Sequence, residues 1–449
     1  MLVPVRYVSL PEVQRQLWFA AQVSRNPSGY LVPVQLRIDG PLDLDRLDRA
    51  IRAVVTRHEV LRTGTALVGD ELVGVVHEVP CPAFGLDEIA TDANADADAD
   101  VTAWLRRHAA EPFELSTEPP FRARLGRVSP ELHYLSLTIH HMAFDGWSRN
   151  ILLRELAEYY AGEDAAPDPL PLSFGAHALA REESGAAHTY AEQLAYWREA
   201  LAGLVRFELP TDRPRPLHRD GRGAVLRFGI RADTTAALRA VARTCLASLY
   251  MVLLAGCQTV LARHSGRDDV TVGSTYSTRD QSELADVVGL FVNMTVLRGD
   301  VSGSPTFPEL VRRVRETVLD AYEARDVPFV RVVRELEADR DPSRTPLFGI
   351  LVDLDAGGRV PAQLPGLRVT ELPEICLGSK YDLTISFEEV PDGSLTFRIA
   401  WDVSLYDEST VQRLGQDIRT SLVEAARYGD RPSDTPTEGR TGPGDPVHR

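Results

Sequence analysis

The chain has 449 residues, 44% of them hydrophobic and 25% charged, and 65 acidic against 49 basic side chains give a net charge of −16. This composition excludes a disordered or collagen-like chain; about 150 residues per domain would give about three units, and the larger size of α/β units brings the expectation to two, with a sizeable core. The acidic balance repels phosphate backbones and anionic membrane surfaces at long range, so neither nucleic acid nor a membrane is expected as a partner.

Residues 10–22 put Val13, Leu17 and Ala21 on one helical stripe with Trp18 beside it, which predicts the first helix. Val32, Val34, Leu36 and Ile38 alternate as one face of a strand, an Asp39-Gly40-Pro41 turn follows, and a helix is expected over 45–58. A second alternating strand, 73–79, leads into TDANADADAD. That repeat reads as a solvated loop, because it lacks the glycine and terminal glutamate of a calcium-binding loop. Residues 121–128 and 131–140 form a predicted hairpin through Ser129-Pro130, and 147–160 an amphipathic helix using Ile151, Leu152, Leu156 and Tyr159. The proline-rich acidic stretch 162–173 is taken as a linker, which sets the expected units at 1–173 and 174–428.

In the second unit, helices are expected at 190–201, 234–245, 249–264, 307–324, 329–336 and 410–428. Strands are expected at 224–230, 270–274, 291–297, 348–353, 383–388 and 395–401. Residues 429–449 lack an apolar face and read as a disordered tail. Each unit thus mixes strands and helices, an α/β class of the α+β mixed kind.

The four cysteines, Cys81, Cys245, Cys257 and Cys376, lie far apart with no CxxC pair, so neither a zinc cluster nor a disulfide framework is indicated and a reducing cytoplasm fits. The N-terminus lacks the basic start and apolar run of a signal peptide. The most apolar stretch, 247–262, is too short to span a bilayer and contains Ser248, Tyr250 and Gln258, so it reads as a buried helix. GxGxxG, Walker and GxSxG patterns are absent from both units.

The chemistry concentrates in His140-His141-Met142-Ala143-Phe144-Asp145-Gly146, at a strand end leading into a helix. Successive strand side chains face opposite ways, so one histidine can face a cavity while the other is structural. An imidazole suits acid-base work near neutral pH, Asp145 can orient the turn by pairing with a cation, and Gly146 leaves room for a ligand. Two turn histidines before a helix-starting aspartate explain the same residues without any chemistry. A metal site lacks ligands, because His133, His140 and His141 sit on one hairpin with alternating faces. No cysteine or serine is placed as a covalent nucleophile.

HHMAFDG resembles the HHxxxDG motif of non-ribosomal peptide synthetase condensation domains. Other segments are similar to that family's motifs in the same order: PEVQRQLWFAAQ, RHEVLRT, YWREAL, GSTYSTRD, VVGLFVNMTVLR, RDVPFVRVVREL, RDPSRTPLFGILVDL and KYDLTISFEE. The resemblance spans about residues 8–425. It implies two chloramphenicol-acetyltransferase-like lobes in a V-shaped pseudodimer with a central tunnel. It further implies that His141 is the catalytic histidine, His140 its structural neighbour, Asp145 the partner of Arg279, and Gly146 the glycine beside the reacting groups. Tyr276, Ser277, Asn293 and Ser386 are placed by it near the tunnel.

The family's donor is an acyl thioester on the phosphopantetheine arm of a peptidyl carrier protein, with no bound cofactor. Because no adenylation or carrier segment accompanies this one unit, the carrier is expected in trans and the acceptor as a soluble small molecule. Tyr276, Ser277 and Thr278 stand where the family usually has a proline and a glycine, which leaves the acceptor class open. The chain looks like the free-standing enzymes of enediyne antibiotic pathways that esterify a soluble core with a carrier-bound β-amino acid. Alternatives are a coenzyme-A-dependent acyltransferase of the same superfamily, whose DFGWG segment is absent here, an epimerase sharing HHxxxDG, and an idle recruitment module.

Overall fold

The computed structural model describes residues 4–79, 83–89, 97–162, 169–185, 189–336, 341–355 and 361–428. The strands are β1 (Pro4–Ser9), β2 (Leu31–Asp39), β3 (Thr63–Val68), β4 (Glu71–His77), β5 (Gly85–Glu88), β6 (Phe121–Ser129) and β7 (Leu132–His140). They continue with β8 (Gly223–Ile230), β9 (Asp269–Ser277), β10 (Val292–Asp300), β11 (Ile350–Asp355), β12 (Arg368–Glu371), β13 (Leu383–Glu389) and β14 (Leu395–Asp402). The helices are α1 (Glu12–Val23), α2 (Leu44–Arg57), α3 (Ala97–Ala110), α4 (Gly146–Ala161), α5 (Phe174–Gly185) and α6 (Thr189–Ala200). After these come α7 (Ala232–Thr244), α8 (Leu249–Ser265), α9 (Phe307–Glu323), α10 (Phe329–Glu335) and α11 (Glu408–Ala426).

In the first half, β2, β7 and β6 form antiparallel neighbours in a five-stranded sheet of order β12-β2-β7-β6-β5, while β1, β4 and β3 form a small separate sheet. Val34, Leu36 and Ile38 of β2 bury against α2 and α4 as the alternation predicts. Helix α2 starts where the Asp43 carboxylate accepts from Arg46 N at 3.0 Å, and its stripe Leu47, Ala50, Ile51, Val54 and Val55 closes the core. The second half is a six-stranded sheet of order β10-β9-β11-β13-β14-β8, packed on α7, α8, α9 and α11. Helix α8 is apolar all round because it is buried all round, capped by Ser248 and ended by Gly266 at φ 68°. Among the described residues no single helix is long and apolar enough to cross a membrane.

The expected halves 1–173 and 174–428 interleave. Strand β12 pairs antiparallel with β2, and Phe174, residues 284–291 and Leu364 contribute to the first half's core. His58 fastens one of these crossings, since its Nδ1 accepts from Val288 N at 3.3 Å while Nε2 meets Glu155 at 2.8 Å. Sequence reading missed β12, a four-residue strand with no apolar run, and α3, whose first turn uses the last four residues of the Asp-Ala repeat. Asp98 and Asp100 sit there at the positive helix end, where carboxylates are favoured. The start of that repeat, residues 163–168 of the linker and the tail 429–449 lie outside the described residues.

One glycine fixes how the second sheet closes. A Cβ on Gly273 of β9 meets the ring of Phe348 at 2.2 Å, and that fully buried ring stacks on Tyr381 with centroids 5.6 Å apart. Gly273→Val is expected to overpack this contact and destabilise the protein by about 1–3 kcal/mol. Denaturant unfolding checks this, and an unchanged midpoint contradicts it.

Candidate active site

Strand β7 ends at His140, residues His141–Ala143 make a single 3-10 turn, and α4 begins at Gly146. Met142, Ala143 and Phe144 are fully buried, so the turn is nailed into the first half's core between the two histidines and Asp145. His140 faces inward: its Nδ1 accepts from Met142 N at 3.2 Å, and its ring stacks on Tyr30 at 6.4 Å with an interplanar angle of 12°. His141 leaves the extended strand and lines a cavity instead. Its Nδ1 is buried with no hydrogen bond of normal geometry among the described residues, which leaves Nε2 as the nitrogen available to a ligand.

Asp145 is the N-cap of α4. Its Oδ1 accepts from Ser148 N at 2.8 Å, Oδ2 accepts from Phe291 N at 3.0 Å, and Arg279 Nη2 lies 3.2 and 3.3 Å from the two oxygens. Both side chains are buried, at 3% exposure for Asp145 and 6% for Arg279. Arg279 also donates through Nη1 to the carbonyls of Leu284 and Val287, each at 2.7 Å, and lies over the Phe291 ring at 4.0 Å. This is the expected pairing, with Nη1 and Nη2 of the guanidinium both hydrogen-bonded and Nε buried without a partner among the described residues. Gly146 follows on the cavity wall, where a Cβ meets nothing within 4 Å.

The cavity, about 360 Å³, lies between the two large sheets. One wall is β2 from Leu31 to Gln35, together with the HHMAFDG turn and the start of α4. The opposite wall is the polar face of the six-stranded sheet. Strand periodicity sends Ile350, Val352, Ile385, Phe387, Phe397 and Ile399 into the core, and the residues between them face the cavity. Two cross-strand rows result, Leu351-Thr384-Ala400-Val225 and Asp353-Ser386-Arg398-Arg227. Residues Glu371 to Tyr381, continuing from β12, close one side.

That closing segment carries Lys380, the single lysine of the chain, to which the sequence alone assigned no role. Its Nζ is 5.2 Å from the Tyr30 ring centroid, and burial pulls its pKa down to about 8. Burial first, and the Lys380 ammonium second, hold His141 at about 3 and His140 at about 4, so both imidazoles are neutral at physiological pH. Asp353, also not foreseen, is pushed up to about 6 by burial against the donors of Ser274 and Thr275. The sign of Asp353 in the sequence is a charged side chain inside a strand-forming segment, and Lys380 lies in the loop just before one.

Of the residues expected near the tunnel, Ser386 lines the cavity and Tyr276, Ser277 and Asn293 do not. The reason is strand periodicity. Tyr276 and Asn293 are cross-strand partners on the helix-facing side, one step out of phase with Thr275. The Tyr276 hydroxyl donates to Val318 O at 3.0 Å, while Asn293 donates to the carbonyls of Arg325 and Val327, both at 2.8 Å, and braces the start of α10 through Phe329 N. Ser277, at the exposed strand end, accepts from Arg279 N at 3.3 Å. Among the described residues no three His, Cys, Asp or Glu side chains converge as metal ligands, and Cys245, Cys257 and Cys376 are free thiols.

A fold of two open sheets sharing one cavity, with HHMAFDG on its wall, defines a class. The chain belongs to the condensation-domain family, whose model, "Condensation domain", matches residues 6–437. It is 38% identical over 423 residues to CymA, a probable non-canonical non-ribosomal peptide synthetase of Salinispora arenicola, a match covering 90% of this chain and 5% of that protein. It spans only a small part of the length of curated relatives such as CymA. The X-domain from teicoplanin biosynthesis superposes with a TM-score of 0.84 at 27% identity, covering 96% of this chain and 97% of that one. SgcC5 of Streptomyces globisporus does so with a TM-score of 0.78 at 25% identity, covering 94% and 100%. The halves are thus the chloramphenicol-acetyltransferase-like lobes of a pseudodimer, in the arrangement of a condensation domain.

Removing either member of the Asp145–Arg279 pair leaves a buried charge without its counterpart. Asp145→Ala and Arg279→Ala are each expected to cost about 3–5 kcal/mol, and the double variant less than the sum. Equilibrium unfolding of all four proteins measures the coupling, and strict additivity contradicts the pair.

The depressed histidines also set a pH dependence. The unfolded chain takes up these protons near pH 6.5, whereas the folded chain does so only near 4 for His140 and 3 for His141. Their contribution to stability is therefore fully present above pH 6.5 and falls as the pH drops below it, by about 1.4 kcal/mol per pH unit for each imidazole. His140→Asn is expected to lose less stability than wild type between about pH 7.5 and 5.5. Equal losses contradict the assignment.

Proposed function

We propose that the chain transfers an acyl group, aminoacyl in class, from the phosphopantetheine thioester of a peptidyl carrier protein acting in trans to the hydroxyl of a soluble acceptor. His141 is the general base, and no cofactor is bound by the enzyme itself. The observation that carries this reading is a neutral imidazole on the wall of a cavity shared by both lobes, with Nε2 available and Gly146 leaving open space beside it. A hydroxyl is a weak nucleophile until a base takes its proton during attack. The acceptor oxygen forms its bond to the thioester carbonyl while Nε2 takes the proton. The tetrahedral intermediate then collapses, and the C–S bond breaks. The departing thiolate recovers the proton from the imidazolium, giving an ester and a free phosphopantetheine thiol. An empty desolvated cavity disfavours imidazolium, and the negative charge that develops on the attacked carbonyl oxygen counteracts this at the moment of transfer.

One likeness supports a hydroxyl acceptor. SgcC5, matched over its whole length, forms a complex with 1-(2-naphthyl)-1,2-ethanediol, a vicinal diol. An amine acceptor giving an amide uses the same site. Likeness to the teicoplanin X-domain, which forms a complex with OxyB, favours a second reading as a docking module. The ordered His141, Asp145 and Gly146 weigh against it, because a docking surface has no use for a base in a closed cavity.

The test is turnover of a carrier-bound aminoacyl thioester with matched alcohol and amine acceptors, in wild type and His141→Ala. The variant is expected to lose about 10²- to 10⁴-fold with the alcohol and less with the amine, since a neutral amine can attack before losing its proton. A folded variant keeping more than half of wild-type turnover removes His141 from this role. Exclusive amide formation contradicts the hydroxyl preference, and no transfer by wild type favours docking.

A further inference from the structure

The polar wall opposite His141 contains one carboxylate whose hydrogen bonding is half complete. Asp353, on β11 in the middle of the six-stranded sheet, lines the cavity. Its Oδ1 accepts from Thr275 N at 3.0 Å, from Thr275 Oγ1 at 2.9 Å and from Ser274 Oγ at 3.4 Å. Ser274 is held in turn by the Tyr250 hydroxyl, which donates to it at 2.6 Å and lies 3.2 Å from Val352 O. One oxygen is therefore immobilised by a network reaching α8. The other, Oδ2, has no hydrogen-bond or ion-pair partner among the described residues.

The surroundings leave that oxygen for a ligand. Arg398, two strands away in the same cross-strand row, is paired with Glu374, and Arg227 beyond it donates to the Glu374 carbonyl at 3.3 Å. Ser386, the direct cross-strand neighbour of Asp353, shares its face, and its hydroxyl likewise has no partner among the described residues. Cross-strand partners on one face stand about 5 Å apart, so a carboxylate oxygen and a hydroxyl converge on one point of the wall. A buried carboxylate with one oxygen unsatisfied is costly unless a donor completes it, and a cation completes it best. Burial pushes this carboxyl up to about 6, while the hydrogen bonds from Thr275 and Ser274 and the more distant charge of Arg398 pull the other way.

We propose that Asp353, with Ser386 beside it, is a specificity site that binds a primary ammonium group carried by a substrate, across the cavity from His141. The inference rests on the acyl-transfer reading and narrows it, because a substrate with a free amine is then preferred to its amine-free analogue. The amine can belong to the carrier-borne acyl group or to the soluble acceptor. Binding measurements separate these sources without requiring turnover.

The probes are alanyl-aminopantetheine and propionyl-aminopantetheine, stable amide analogues of the donor that differ by one ammonium group, and the soluble pair alaninamide and propionamide. Calorimetric titration of wild type is expected to favour the amine-bearing member of one pair at least tenfold, and that pair names the source. Asp353→Asn, nearly isosteric and still able to accept from Thr275, is expected to abolish the preference by weakening the amine-bearing probe while leaving its partner's affinity within twofold. Asp353→Thr serves as a second variant, and thermal melting verifies that each is folded. Absence of preference in wild type for both pairs, or a preference that survives in a folded Asp353 variant, overturns the proposal. Selective binding without any acyl transfer sinks the functional reading and leaves the ammonium site standing.

Discussion

The carboxylate of Asp145 is the interaction on which the site depends. A buried charge is tolerated only when its oxygens are filled, and Asp145 is filled from three separate pieces of chain: the first turn of α4, the guanidinium of Arg279 after β9, and the amide of Phe291 at the head of β10. Ser148 doubles the connection, since its hydroxyl donates to Gly289 O and accepts from Gly289 N and Arg279. The histidine turn belongs to the first lobe and the Arg279 segment to the second. The same charge that caps the helix therefore docks the lobes, and the position of His141 relative to the opposite wall follows from it.

That opposite wall is one face of a sheet whose other face is a hydrophobic core. A two-sided sheet of this kind can change its cavity chemistry one residue at a time without disturbing packing, because alternation keeps Val352 and Ile385 inside whatever Asp353 and Ser386 become. The site is thus divided by origin. His141, Asp145 and Gly146 lie on a turn pinned by buried neighbours, whereas the residues that face a substrate from the second lobe are the free side of strands. Lys380 comes from a third source, the segment following β12, whose strand pairs with the first lobe's sheet.

Much of this was legible in the sequence where patterns are long. The 13 residues from Leu249 to Leu261 are apolar enough to read as a buried helix, and the β6–β7 hairpin and α4 are clear from alternation followed by helical spacing. Family resemblance to the HHMAFDG turn pointed to Arg279, far along the chain, as the residue that pairs with Asp145. Short or partly exposed elements were invisible: β12 is four residues with alternate exposure, and it takes its structure from the β2 edge it completes. Tyr276 and Asn293 failed as tunnel residues because motif proximity does not carry strand phase, and one residue's shift turns a side chain from cavity to core. Lys380 and Asp353 acquire their character from burial, which no local pattern encodes.

The most direct measurement of the central claim, direct acyl transfer at a base within a cavity shared by two lobes, is intact-mass spectrometry of the enzyme and an acyl-loaded carrier protein during turnover with a diol acceptor. Direct transfer removes the acyl mass from the carrier, produces an equal amount of ester, and leaves the enzyme at its unmodified mass throughout. An acyl adduct accumulating on the enzyme at a rate matching ester formation, on Lys380 or any other side chain, would contradict it.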